Sequence, residues 1–302
     1  MGINGLNKFL KKHCPDASYK KTLNDFRGKR FAIDTNIFIY KFKFNNETHW
    51  IDTFINFINI FKLYDIDIIL VYDNKFPCEK NMKYQRQKKE KESANQYIIK
   101  LEEDIIGYKN NGIKTPAIEN LFKKYPPGLM SLEGMIEKEK ERINKRNIYV
   151  TRDEFDQTKQ IAQQYNIKIE VPEFEAETFC SELCIDGKVD AVLTNDSDVF
   201  AYGVPKCLLD FRNCAGEHYV MEYNFNEILD ALDLTFEQFR DFCIICGCDY
   251  NSRIKNIGPE RAYNLVKKFK SIENIEKNVS FSIEKWNYKR CRELFSLKAR
   301  EN

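Results

Sequence analysis

The chain has 302 residues and a formal charge of +2, with 43% hydrophobic and 14% aromatic residues, enough for a sizeable core. No run of about 18 apolar residues is present, so no membrane-spanning helix is expected. The opening MGINGLNKFLKKHC lacks a secretory apolar core, and Leu6 stands where a myristoylation signal wants Ser or Thr.

Ten cysteines without a signal peptide imply reduced thiols and an intracellular location, nucleus or cytoplasm. Cys243, Cys246 and Cys248 have a zinc-like spacing. Their run FCIICGC is apolar and has no partner Cys/His pair, so a buried apolar role is expected. The charge is unevenly spread. Residues 80–150 hold 16 Lys/Arg against 10 Asp/Glu, a local +6, which leaves about −4 for the rest. A basic segment on an acidic body suits a polyanion held near a cation site.

In chain order, the first apolar run is Phe31-Ala32-Ile33, ending in Asp34. A helix is predicted at 49–64, then a strand Ile68–Tyr72 ending in Asp73. Helices follow at 82–106, 132–146 and 153–165, the first two separated by Pro116, Pro126, Pro127 and Gly128, which break helices. Ile167–Val171 leads to Glu173, Glu175 and Glu177, with a helix over 175–186, and Ala191-Val192-Leu193 leads to Asp196 and Asp198. Asp249 follows a late apolar helix on a Gly-Cys-Asp-Tyr turn, and Ile257-Gly258-Pro259 opens another helix. Short apolar runs bounded by turns and alternating with helices argue an α/β fold with a mostly parallel central sheet and helices on both faces.

In open α/β sheets ligands bind beyond the carboxyl ends of the strands, where these acids lie. Asp34 alone reads as a helix N-cap. Four strand ends carrying seven or eight acids are different, because gathered together they would repel and raise each other's pKa values. Divalent cations resolve that, and oxygen donors without His or Cys point to Mg²⁺ or Mn²⁺. The Gly258-Pro259 helix start offers free amides to a phosphate, with Arg253, Lys255, Arg261, Lys267, Lys268 and Lys270 around it.

At these residues the chain resembles the flap endonuclease family, the structure-specific 5′ nucleases of DNA replication and repair. The matching blocks are MGINGL, AIDTNIFIY, VYDNKFP, EAETFC, TNDSDVFAYG and GCDYNSRIKNIGPERA, in order along nearly the whole chain. The resemblance implies one nuclease domain over 1–302, with a helical arch and insertion at 78–150 and a DNA-binding helix-two-turn-helix at 241–275. It implies Asp34, Asp73, Glu175, Glu177, Asp196, Asp198 and Asp249 as ligands of two Mg²⁺ ions, Mn²⁺ substituting. Glu173 is an extra acid, ranked as supporting or surface.

The same resemblance implies that Tyr40, which alone reads as a core tyrosine, stacks on a base. Gly2, Arg253, Gly258, Arg261, Lys267 and Lys268 become DNA contacts, with a K⁺ ion at the hairpin. Two departures stand out. Asn256 precedes Ile257-Gly258 where the family usually has a further glycine, and Asn tolerates a left-handed backbone. The family's Lys and Arg, seven apart, correspond to Lys80 and to Gln87, so Arg86 or Lys88 is the expected second catalytic cation. The insertion at 108–130 carries Lys109, Lys114, Lys123, Lys124, Tyr108, Phe122 and Tyr125, which suits a single strand if the rings stack on bases, or else packs on its own helices.

The implied function is a two-metal phosphodiesterase cutting branched or flapped DNA near single-strand/duplex junctions, as a 5′ flap endonuclease and 5′-3′ exonuclease. A monomer without a sliding-clamp peptide is expected. Alternatives are a haloacid-dehalogenase-type phosphatase, from the Asp-x-Asp in DSDVF, and a non-catalytic DNA-binding scaffold.

Overall fold

The computed structural model describes residues 2–74, 81–126, 128–146, 149–214, 216–251, 254, 256–279 and 287–297, with only the backbone described at 81–88, 90, 91 and 144–146. These form two compact units, Met1–Lys80 with Thr151–Asn302, and Asn81–Val150.

The first unit is built on seven strands, β1 (Ser18–Thr22), β2 (Arg30–Asp34), β3 (Asp67–Val71), β4 (Lys168–Glu170), β5 (Ala191–Leu193), β6 (Lys206–Cys214) and β7 (Glu217–Asn224). Their order is β1-β7-β6-β5-β2-β3-β4. β6, β5, β2, β3 and β4 pair in parallel, and β7 and β1 add an antiparallel ribbon. Phe31, Ala32, Ile33, Leu70, Val71, Val192 and Leu193 are fully buried. That explains why the inner strands are continuous apolar runs: both faces of a parallel sheet are covered. The chain runs from β2 to β3 on one side and returns to β5 on the other. The sheet therefore changes winding direction at β2, the place where ligands bind in open α/β sheets, and Asp34 ends that strand.

Helices of this unit are α1 (Leu6–His13), α2 (Thr35–Asn45), α3 (Trp50–Leu63), α7 (Arg152–Gln164), α8 (Ala176–Ile185), α9 (Phe225–Leu232), α10 (Phe236–Cys246), α11 (Pro259–Phe269), α12 (Ile272–Asn278) and α13 (Tyr288–Leu294). The ring of Phe57 packs at 5.0 Å from Phe38, 5.0 Å from Phe61 and 5.2 Å from Phe211, which seats α2 and α3 against β6. Cys180, Cys184, Cys207, Cys243, Cys246, Cys248 and Cys291 are buried free thiols, which for Cys243, Cys246 and Cys248 is the role expected of them.

One partly buried ion network, centred on the buried Asp241, joins three helices. Arg292 on α13 donates through Nε and Nη2 to the two oxygens of Asp241 on α10, each at 2.6 Å, and reaches Glu273 on α12 at 2.5 and 2.9 Å. The Ile272 amide also donates to Asp241 Oδ2, at 3.1 Å. Hydrogen bonding from Arg292 pulls Glu273 down to about 2.

The second unit comprises α4 (Asn81–Asn111), α5 (Pro116–Lys124) and α6 (Leu132–Arg146). Pro116 begins α5 just inside a Thr115 cap whose oxygen accepts from the Ile118 amide at 3.4 Å. Leu101, Ile105, Ile118, Leu121 and Met135 form a small core, with Tyr97, Tyr108, Phe122 and Tyr125 packed against it. Glu139, 1% exposed, accepts from Lys124, Tyr125 and Arg142, and the Arg142 hydrogen bonds lead in pulling it down to about 2. Of the two readings of the 108–130 rings, this packing favours the one in which they rest on their own helices. Tyr108 meets Phe122 edge-on at 5.7 Å, and Lys109 and Lys124 pair with Glu133 and Glu139. The five buried residues of this unit make a small core, and these rings complete it.

Candidate metal centre

Asp34 ends β2 and precedes α2, yet its side chain makes no capping bond to that helix. It accepts instead from Thr194 Oγ1 at 3.0 Å. The same Thr194 oxygen accepts from the Asp196 amide at 3.0 Å, so β2 is coupled to the segment after β5. Asp73, just past β3, accepts from the Ala176 amide at 2.8 Å, between Glu175 and Glu177. Its other oxygen accepts from Asn36 Nδ2 at 3.0 Å. Glu175 is the N-cap residue of α8 and Glu177 lies in its first turn; both are buried.

Asp196 starts a short 3-10 turn, Ser197–Phe200, and accepts from the Asp198 amide at 3.1 Å. This turn puts both carboxylates on one side. Asp249 follows α10 on a turn closed by pairing of Cys248 with Asn251. The next residue, Tyr250, donates to Glu175 Oε2 at 2.5 Å. Each acid-bearing segment therefore touches another.

Glu177, Asp196 and Asp198 are buried and offer oxygens all within 4.8 Å of one another, the one group of this kind among the described residues. Asp198 is fully buried. Three carboxylates this close without a cation would be strongly repulsive, and the donors are all hard oxygens. The residues present therefore fit Mg²⁺ or Mn²⁺. The negative field reaches beneath the site: burial first, then Asp34, Asp73 and Glu177, push the Cys180 thiol well above its ordinary value.

Gly2 lies against this cluster with φ +88°, and a Cβ there would fall 2.1 Å from Asp196 Oδ1. Only glycine combines that left-handed backbone with so close an approach. The Asn4 amide donates to Gly247 O at 3.0 Å, tying the chain start to the end of α10. Tyr40 is 37% exposed, with one edge on Phe155 at 6.0 Å, so its ring is not core. Glu173 is exposed.

Around α11, Asn256 adopts φ +64°, the left-handed backbone its residue type tolerates, whereas Gly258 is extended. Arg261 and Lys268 are exposed. Lys267 also reaches a neighbouring helix. Its Nζ donates to Asp233 Oδ2 at 2.5 Å and Asp233 O at 3.0 Å, capping the end of α9. Sequence reading also missed Glu260, whose charge in the first turn of α11 is paired with Lys12 and His13. Lys80 and Arg253 lie outside the described residues, as do the side chains of Arg86 and Lys88.

A mostly parallel α/β sheet with buried carboxylates gathered at its carboxyl edge is the architecture of a divalent-metal site. Family models for the XPG N-terminal domain and the XPG I-region match residues 1–96 and 166–249. The chain is 30% identical over 330 residues to a probable RAD2-like endonuclease of Invertebrate iridescent virus 6, covering 98% of this chain and 79% of that protein. It is 30% identical over 314 residues to flap endonuclease 1 of Entamoeba histolytica, covering 98% and 75%. The chain belongs to the XPG/flap endonuclease family of structure-specific 5′ nucleases.

Among solved structures, the catalytic core of Rad2 in complex with DNA substrate has the same fold, with a TM-score of 0.63 at 20% identity, covering 96% of this chain and 79% of that one. GEN1 in complex with product DNA, Mg²⁺ and Mn²⁺ ions aligns with a TM-score of 0.53 at 17% identity, covering 95% and 55%. Family membership removes the haloacid-dehalogenase alternative. No helix among the described residues is long and apolar enough to cross a membrane.

Proposed function

We propose that this chain is a 5′ nuclease that hydrolyses DNA phosphodiesters near single-strand/duplex junctions, cutting 5′ flaps and trimming 5′ ends. The carrying observation is the buried trio Glu177, Asp196 and Asp198, with oxygens within 4.8 Å, in a chain of this family. Asp34, Asp73, Glu175 and Asp249 complete the ligand set. Divalent ions bound there supply an activated water and stabilise the leaving 3′ oxygen. The protein's part is to hold the carboxylates fixed and to offer oxygen donors that favour hard cations. Lys80, with Arg86 or Lys88, is assigned to the charge developing on the phosphate, Tyr40 to stacking on the base beside it, and Gly2 to close approach of the backbone to substrate.

The helical unit of α4, α5 and α6 is read as the family's arch with an insertion. Residues 241–275 are read as the helix-two-turn-helix that grips the duplex backbone, with K⁺ at its turn, in a single nuclease domain with helices on both sheet faces. Arg253, Gly258, Arg261, Lys267 and Lys268 are its DNA contacts, Lys267 from a position where it also donates to Asp233 at the end of α9. The chain acts as a monomer within the nucleus or cytoplasm.

Labelled flap, nick, bubble, junction and RNA substrates, incubated with Mg²⁺, test the reading by mapped products. Cuts near the flap base, and no turnover of para-nitrophenyl phosphate, are the expected result. Binding without cutting on every substrate would favour the scaffold instead. The clamp is tested separately. Arg261→Glu/Lys268→Glu should weaken binding to all duplexes alike and flatten the log–log salt dependence by about 0.9 per lost phosphate contact. An unchanged slope would remove these two residues from the DNA surface.

A further inference from the structure

Three of the segments that carry the carboxylates also carry a buried hydroxyl close by in sequence. Thr178 follows Glu177, Tyr202 lies four residues past Asp198, and Tyr250 follows Asp249. These hydroxyls are joined in space. Thr178 Oγ1 donates to Tyr202 OH at 2.9 Å, Tyr202 OH lies 3.0 Å from Tyr250 OH, and Tyr250 OH reaches Glu175 Oε2 at 2.5 Å. Thr178 is fully buried, Tyr202 is 2% exposed, Glu175 2% and Tyr250 9%.

The direction of this chain of bonds follows from proton counting. An ionised carboxylate only accepts, so Tyr250 spends its single proton on Glu175. The bond between the two tyrosines must then be donated by Tyr202, and Thr178 supplies the proton that Tyr202 accepts. The circuit leaves α8 at Thr178 and returns to it at Glu175, three residues earlier, after passing through the segments of Asp198 and Asp249. The rings do not need the hydroxyls for packing, because Phe295 contacts both tyrosines at 5.2 Å between ring centroids. Three hydroxyls aligned head to tail toward one carboxylate strengthen each other and hold its orientation.

We infer that Tyr250, backed by Tyr202 and Thr178, is a positioning residue for Glu175 that sets the affinity of the carboxylate cluster for its divalent cation. The inference rests on the metal-centre reading above. Supporting hydrogen bonds of this kind orient metal-binding carboxylates and are worth about 10–100-fold in metal affinity.

The test is calorimetric titration of the whole protein with Mn²⁺, alongside metal-free thermal melts. Phenylalanine keeps the ring and deletes only the hydroxyl, so both tyrosine variants should fold. Tyr250→Phe is expected to weaken Mn²⁺ binding by about tenfold or more. Tyr202→Phe should weaken it by about threefold, the worth of a modest hydrogen bond. In a Tyr250→Phe background, Tyr202→Phe should cost no further affinity, because the route to Glu175 is already cut. Mn²⁺ affinity within twofold of wild type in Tyr250→Phe, whether or not the melting temperature falls, would overturn the positioning role. So would losses that simply add in the double variant. Asp198→Ala separates the two levels of the argument. Binding lost there and kept in Tyr250→Phe defeats the relay alone, while binding kept in both defeats the metal centre.

Discussion

Asp198→Ala should abolish cleavage at saturating Mg²⁺ while changing substrate affinity by no more than about tenfold, or 1.4 kcal/mol. Asp198 is fully buried, and its oxygens lie within 4.8 Å of those of Glu177 and Asp196. A residue in that position has no surface to offer the duplex. The exposed Arg261 and Lys268 are the kind of residue that sets binding. Loss of turnover with retained binding would separate chemistry from docking. Cleavage near the wild-type rate would remove Asp198 from the metal centre.

Arg292→Ala should lower the stability of the sheet-bearing unit by about 3–5 kcal/mol, measured by urea unfolding at neutral pH. The guanidinium makes four hydrogen bonds to Asp241 and Glu273, and the Asp241 side chain is only 4% exposed. Removing the cation leaves a buried carboxylate with one backbone donor, from Ile272, among its described contacts. That uncompensated charge is the source of the cost, more than the lost attraction. Arg292→Ala/Asp241→Leu should recover much of the loss. A single variant within about 1 kcal/mol of wild type would mean that solvent reaches Asp241 once the arginine is gone.

The inner strands were readable because a parallel sheet covered on both faces leaves uninterrupted apolar runs such as Ile68-Ile69-Leu70-Val71. The helices over 49–64, 153–165 and 175–186 came within two residues at each end. The outer ribbon was not readable. β1 is Ser-Tyr-Lys-Lys-Thr, with no apolar run. β6 shifts register between Leu209 and Arg212, with Asp210 at φ +56°, which breaks the alternation that marks a half-buried strand. The acids were legible because charge at a strand end is costly without a partner. Their supports were not. Thr194, Asn36 and Tyr250 are ordinary residue types whose role appears only when distant segments meet. Nor does its charge alone reveal that Lys267 also reaches across to Asp233 at the end of α9.

The outer ribbon also bears on how the protein behaves when crowded. An open parallel sheet has two free edges, each a template onto which another chain can add a strand. Here one edge is β4, three residues long, bearing Lys168 and Glu170 joined by an ion pair. The other is β1, five residues long, in which Lys20 lies over the Tyr219 ring at 4.0 Å. A strand docking on either edge would find few amides and would have to bury charge. The longer strands β6 and β7 lie inside these guards. The arrangement therefore defends against edge-to-edge aggregation, allowing nine- and eight-residue strands to be kept without exposing them to other copies of the chain.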